Sequence, residues 1–201
     1  LFWAEGCCSL HYDWGWVMAL NYVRLGDRFF FDRAAEMAEH RIDVDQIWSD
    51  REAVYFRGLV RYEKGYTNIH GGAKDGYYKP ITSHIWIRGV VWYYYLTGDA
   101  SAYECALRTA MGVKLRQVAA HEKPGERLND QTRASSWAIA VLCDVYDMTG
   151  EKQYLDQALL LWNNHLKALW KQTGDPSFGM RKGNSLQFFY PAQALCLLQI
   201  R

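Results

Sequence analysis

Three short turns of the same kind divide the chain, and each separates two segments with a helical pattern. They are Leu25-Gly26-Asp27, Thr97-Gly98-Asp99 and, with a weaker match, Thr149-Gly150-Glu151. Glycine tolerates the left-handed conformation that ends many helices. An aspartate directly after it can accept hydrogen bonds from the unpaired N–H groups at the start of the next helix. The chain is therefore predicted to be a row of helical hairpins with a glycine at each tip.

Apolar periodicity assigns an inner and an outer helix to each hairpin. The inner helices, which are apolar on most sides, are predicted at residues 12–25, 83–96 and 131–148. The more amphipathic outer helices are predicted at residues 29–40, 101–119 and 152–171, and residues 185–201 form a fourth inner helix. Residues 1–201 are thus predicted to be a single all-α domain, or a piece of one, with about three and a half hairpins.

The longest link between helices, residues 41–82, has no clear helical stripe. Compact domains rarely carry so long a link unless it is functional or disordered, and its many aromatic residues speak against disorder. In stacked hairpins the tips gather on one face and the links on the other, together with the first turns of the inner helices. We expect the functional site on the link face. Helix N-termini there favour an anionic ligand.

His84 and Arg88 begin the second inner helix, and the predicted helix places Arg88 one turn past His84 on the same face. In the catalytic interpretation, His84 transfers a proton while Arg88 or Arg133 binds a substrate carboxylate. In the structural alternative, His84 caps a helix and each arginine reaches the outer layer. Two residues of the long link, Tyr66 and His70, are further candidates for a general base.

Aromatic residues are abundant, with 9 Trp and 14 Tyr in 201 residues. Their flat faces and polar ends suit stacking against sugar rings, although most are expected in the core. Predicted substrate contacts combine such rings with charged groups at helix starts and in the long link: Asp13, Trp14, Tyr78, Trp86, Arg133 and Trp137.

No cofactor is predicted, and calcium is the alternative. Asp43 and Asp45 could ligate Ca²⁺ or supply a carboxylate for glycoside hydrolysis; otherwise they belong to a solvated helix end. The adjacent pair Cys7 and Cys8, together with Glu5, is a weaker metal candidate. Five cysteines, an odd number, argue against a disulfide framework.

The formal net charge of +1 gives no electrostatic reason to expect nucleic acid or an anionic membrane as partner. The sequence shows no stretch of about 20 apolar residues and no signal peptide. Phosphate-binding, zincin and serine-hydrolase motifs are absent as well. Because the sequence begins in an aromatic-rich segment and ends in a helical pattern, we expect a piece of a longer protein, with flanking domains or self-association. Its localisation is not predicted.

Two stretches resemble the exo-rhamnogalacturonan lyase and YetA-like family of bacteria and fungi. One is Leu25-Gly26-Asp27 with the charged helix that ends in His40-Arg41-Ile42-Asp43-Val44-Asp45. The other is His84-x-Trp86-x-x-Gly89 running into Tyr93-Tyr94-Tyr95-Leu96-Thr97-Gly98-Asp99. The resemblance covers roughly residues 12–171, and related patterns occur across six-hairpin glycosidases, including unsaturated glucuronyl hydrolases. It implies an α/α toroid, of which this chain would supply about half, flanked by β-rich domains.

The resemblance further implies a polysaccharide lyase that cleaves uronate-containing, pectin-type chains by β-elimination. Such a lyase needs a cation beside the substrate carboxylate and a base that removes the α-proton. The alternatives are a glycoside hydrolase on the same scaffold, with Asp13, Asp43 or Asp45 as a catalytic carboxylate, and a sugar-binding or scaffold domain without catalysis. In each case the expected partner is an oligo- or polysaccharide.

Overall fold

The structure, a computed structural model, describes residues 2–3, 6–7, 12–48, 58, 82–125, 132–174 and 186–201. Helices dominate these residues, so the all-α prediction is confirmed. In chain order the α-helices are α1 (Trp14–Leu25), α2 (Arg28–His40), α3 (Arg88–Thr97), α4 (Ala100–Val113), α5 (Thr132–Thr149), α6 (Lys152–Leu161), α7 (Lys167–Thr173) and α8 (Leu186–Gln199). Two strands of two residues each, β1 (Phe2–Trp3) and β2 (Gly6–Cys7), pair antiparallel near the start.

The three hairpin tips have the predicted geometry. Gly26, Gly98 and Gly150 are left-handed, with φ of 70°, 74° and 73°. Asp27 accepts a hydrogen bond from the backbone N–H of Phe29 at 2.9 Å, and Asp99 accepts from Ser101 and Ala102 at 2.8 and 3.0 Å. At the third tip the side chain of Glu151 makes no such bond, as expected of the weaker match.

The hairpins pack side by side. Helix α1 packs on α2, α3 on α4, and α5 on α6, which gives three hairpins. The inner helices also contact one another in the order α1, α3, α5 and α8. The larger apolar cluster lies around α5, where Ile139, Leu142 and Val145 are fully buried. Burial of each such side chain stabilises the fold by about 1.5–3 kcal/mol.

The entry to α3 differs from the prediction. The sequence pattern predicted one helix from residue 83 to 96, but the structure has a short 3₁₀ helix at Thr82–His84 and no helix at residues 85–87. Helix α3 begins only at Arg88. Ile85 and Ile87 are fully buried in this non-helical segment, which inserts its β-branched side chains directly into the core. The prediction that Arg88 follows His84 by one helical turn is therefore wrong.

A π-helical turn directly follows the first α-helix of each outer segment, and the periodicity did not predict it. These turns are Arg41–Asp45 after α2, Lys114–Val118 after α4 and Trp162–Leu166 after α6. The third divides the segment predicted as one helix at residues 152–171 into α6 and α7. π-helical turns are rare and are often found near functional sites.

None of the described helices is both long enough and apolar enough to cross a bilayer.

Candidate functional site

A cavity of about 230 Å³ opens where the first turns of α1 and α3 approach α5. Four aromatic side chains and three charged ones dominate its walls: Tyr12, Trp16, Trp86, Trp137, Asp13, Arg88 and Asp144. We call this the first cavity. Aromatic walls with a few converging charged groups are typical of ligand sites.

Asp13 joins two helices at the edge of the first cavity. Its Oδ1 accepts a hydrogen bond from the backbone N–H of Trp16 in α1 at 3.0 Å. Its Oδ2 accepts one from the backbone N–H of Gly89 in α3, also at 3.0 Å. Burial raises the pKa of Asp13 to about 6, although both N–H donors favour the ionised form. This carboxyl therefore exchanges its proton near neutral pH.

The close approach of α1 and α3 depends on a glycine. A Cβ added at Gly89 would lie 2.6 Å from both Oδ1 of Asp13 and the backbone nitrogen of Trp16. Only a residue without a side chain fits there, and the Gly89 N–H can then reach the Asp13 carboxylate. The sequence motif containing Gly89 thus has a packing role at the site.

Arg88 and Asp144 form an ion pair in the wall of the first cavity. The Nε and Nη2 atoms of Arg88 both donate to Oδ1 of Asp144, at 3.0 and 2.7 Å. The side chains are 19% and 8% exposed. Burial raises the pKa of Asp144, and Arg88 opposes that shift by favouring the carboxylate. The guanidinium also lies 5.1 Å from the centroid of the Trp16 ring, a cation–π contact.

A second cavity of about 270 Å³ also borders this ion pair. Trp16, Arg88 and Asp144 line both cavities. The remaining walls of the second cavity include Trp92, Tyr95, Asp147, Ile200 and Arg201. Arg201 pairs with Asp147 there, its Nε lying 2.8 Å from Oδ1.

Four of the predicted site residues line the first cavity together: Asp13, Trp86, Arg88 and Trp137. Arg133 lines neither cavity. Its guanidinium lies 6.0 Å from the centre of the Tyr190 ring, and Tyr190 packs on Trp137. Trp14 begins α1 and is half-buried, but it lines neither cavity.

His84 is also outside both cavities. It is 1% exposed and belongs to the 3₁₀ helix before α3. The described residues thus place no imidazole in either cavity wall. Tyr66, His70 and Tyr78, the candidates in the long link, lie outside the described residues.

Sequence reasoning missed Trp16 and Asp144. Asp144 offered a signal, because it is the one carboxylate within the apolar run 137–145 of α5. A charge on the face of a buried helix is rare unless it is paired or functional. Trp16 offered no such signal, since its spacing along the helix suited a core residue as well as a site residue.

The two aspartates after α2 differ in how deeply they are buried. Asp43 is exposed, whereas Asp45 is 1% exposed and lies 3.2 Å from Nδ1 of His40. Asp45 raises the pKa of His40 through that hydrogen bond. Across the described residues, no group of three or more His, Cys, Asp or Glu side chains could hold a metal ion.

A buried polar network connects the loop-side ends of α4, α5 and α6. Gln117 Nε2 donates to Oγ of Ser135 at 2.8 Å, and that hydroxyl lies 2.6 Å from Nδ1 of His165. The His165 ring stacks on His121 with centroids 4.3 Å apart. Ser135 and His165 are fully buried, so this Ser–His pair is a structural element of the core.

In comparison with known proteins, the chain matches no protein-family model, no curated protein and no solved structure. The interpretation of the site therefore depends on its own geometry and charges.

Proposed function

We propose that this chain binds an acidic saccharide in the first cavity and hydrolyses its glycosidic bond. One observation carries the proposal: two buried carboxyls, Asp13 and Asp144, line the same aromatic-walled cavity, and burial raises the pKa of both. Paired carboxyls with different protonation states are the usual machinery of glycoside hydrolysis.

The two carboxyls differ in their access to a cation. Arg88 ion-pairs with Asp144 and favours its ionised form, which suits a base or nucleophile. Asp13, with a pKa of about 6, suits the acid that protonates the leaving oxygen. Asp144 also raises the pKa of Asp13, as one negative charge disfavours another nearby.

The rest of the cavity suits a charged sugar. Trp86 and Trp137 offer flat apolar surface for a ring, and Arg88 is a cation that a uronate carboxylate can approach. The order of the inner helices, α1, α3, α5 and α8, supports the further proposal that these hairpins form part of an α/α toroid.

Cleavage by β-elimination, which the family resemblance implies, is the second candidate. The observation that favours it is the presence of Tyr12 in the same cavity wall as Arg88. Tyr12 is 40% exposed, and its phenol, which is hydrogen-bonded to Tyr190, would act as the base. The Arg88 guanidinium would stabilise the substrate carboxylate as the α-proton leaves.

Incubation with rhamnogalacturonan and with oligogalacturonates tests both candidates. Hydrolysis releases reducing ends without ultraviolet absorbance, whereas β-elimination also produces the absorbance of an unsaturated uronate. We expect reducing ends alone. Absorbance that rises with the reducing ends would replace hydrolysis by elimination, and tight binding without cleavage would leave a sugar-binding domain.

Asp13→Asn is the decisive variant, since it keeps the side-chain size but removes the acid. We expect it to lower hydrolysis by about 10²–10⁴-fold. Asp27→Asn is the matched control, because Asp27 also caps a helix but lies at an exposed hairpin tip. Equal activity of the two variants would remove Asp13 from the catalytic machinery.

A further inference from the structure

We infer that the first and second cavities are two sugar subsites of one groove, so that the ligand is an acidic saccharide of at least two rings. The bond between those rings would lie over Arg88 and Asp144. This inference rests on the proposed function and adds the length of the substrate and the place of its scissile bond.

The first argument is the shared wall. Trp16, Arg88 and Asp144 line both cavities, so the ion pair forms the boundary between two adjoining spaces. Volumes of about 230 and 270 Å³ are each small for a ligand pocket. Together they enter the usual range of roughly 300–1,000 Å³.

The second argument is that the second cavity repeats the chemistry of the first. Each contains an arginine paired with an aspartate of α5: Arg88 with Asp144, and Arg201 with Asp147. Residues three apart lie on the same helix face and about 4.5 Å apart along the axis. The two ion pairs are therefore neighbours in one groove, and each offers a cation and a carboxylate to a polar ring.

The third argument is aromatic surface in the second cavity. Trp92 and Tyr95 lie in its wall, and Tyr95 is 51% exposed. An accessible aromatic ring beside an arginine provides both a stacking face and an anion partner, as a uronate ring requires.

Calorimetric titration with galacturonate and with a thio-linked digalacturonate, which hydrolysis does not cleave, tests the inference. We expect the two-ring ligand to bind at least about tenfold more tightly, the worth of one well-placed aromatic contact. Equal affinities would overturn the inference. A second ring that adds affinity in a chain without hydrolytic activity would uphold the groove and reject the catalytic proposal.

Variants test whether the higher affinity of the two-ring ligand comes from the second cavity. Tyr95→Ala should remove most of the advantage of the two-ring ligand over galacturonate, whereas Tyr95→Phe, which keeps the ring, should retain it. Phe29→Ala is the control, because Phe29 is an exposed aromatic residue on α2 outside both cavities. Loss of galacturonate and digalacturonate binding by the same factor in Tyr95→Ala would contradict a separate second subsite.

Discussion

The carboxylate of Asp13 accepts a hydrogen bond from the backbone N–H of Gly89, which lies 76 residues further along the chain. The same carboxylate caps α1 through the N–H of Trp16. Two helix N-termini, each with a partial positive charge, thus converge on one buried acid. Burial outweighs their effect and raises the pKa of Asp13, which leaves a strongly anchored carboxyl that still takes up a proton near neutral pH.

Gly89→Ala should destabilise the protein by about 1–3 kcal/mol, because its Cβ would overlap atoms of α1. Two of those atoms, the nitrogen of Trp16 and the carbonyl carbon of Gly15, belong to the backbone and cannot rotate away. Urea unfolding monitored by circular dichroism measures this difference in the free energy of unfolding between the variant and the wild type.

Gly15→Ala is the matched control for that experiment. A Cβ at Gly15 has its nearest neighbours at 3.6 Å, an ordinary contact distance, and alanine is the better residue inside a helix. We expect no loss of stability. A Gly89→Ala variant as stable as Gly15→Ala would show that α1 and α3 are not in close contact at this point.

Asp13 should make the protein less stable as the pH rises through about 6. Its pKa is 3.8 in the unfolded reference and about 6 in the folded state, so between these values the folded state holds a proton that the unfolded chain releases. The stabilising contribution of Asp13 to the free energy of unfolding is fully present below pH 3.8 and is lost above about pH 6. Its size is about 3 kcal/mol.

Unfolding free energies of the wild type and Asp13→Asn, measured from pH 4 to pH 7.5, isolate this contribution. The asparagine does not titrate, so the difference between the two proteins should change by a few kcal/mol across the range. Asp144 is present in both proteins, so only the part of its contribution that arises from its interaction with Asp13 remains in the difference. A constant difference would mean that Asp13 titrates like an exposed carboxyl.

The same proton should control turnover. If Asp13 is the acid, kcat/KM on oligogalacturonate falls about tenfold for each pH unit above about 6, as the protonated fraction of the free enzyme decreases. The pH profile of the wild type gives the midpoint of this alkaline limb. A flat profile between pH 5 and pH 8 would contradict the assignment of Asp13 as the acid.

Ser135→Ala should cost about 1–3 kcal/mol, because it leaves Gln117 Nε2 and Nδ1 of His165 without their buried partner. Ser136→Ala is the control in the adjacent position. Ser136 is also buried, but its hydroxyl donates only to the carbonyl of Thr132 one turn earlier. We therefore expect Ser135→Ala to have a clearly lower midpoint temperature of thermal unfolding than Ser136→Ala. Equal midpoint temperatures would show that the network does not stabilise the fold.

Short-range sequence signals were sufficient to predict the hairpins. A glycine followed by a capping aspartate determines the geometry at Gly26 and Gly98 without help from distant residues. The helical periodicity also located α1, α2, α5 and α8 to within a few residues.

The entry to α3 was not predictable in this way. An apolar run as short as Ile85-Trp86-Ile87 fits a helix or an extended segment equally well. Tertiary packing decides between them. The interpretation of His84 and Arg88 as neighbours on one helix face was wrong for this reason.

The cavities depend on contacts between distant parts of the chain. Arg88 and Asp144 are 56 residues apart, and Asp13 and Gly89 are 76 apart. The sequence pointed to Asp13, Trp86, Arg88 and Trp137 because each lies near the start of an inner helix. It could not reveal that Asp144, more than three turns into α5, faces the same space, since its partner is defined only once α3 packs beside α5.

The π-helical turns also affect how the outer helices are read. Each holds one residue more than an α-helical turn, so the side chains that follow are rotated by about 100° relative to an uninterrupted helix. The positions facing the inner layer therefore follow one phase before Lys114 or Trp162 and another phase after it. A single 3.6-residue period fitted across residues 152–171 therefore averages two out-of-phase stripes, which makes this segment look less amphipathic than either half is.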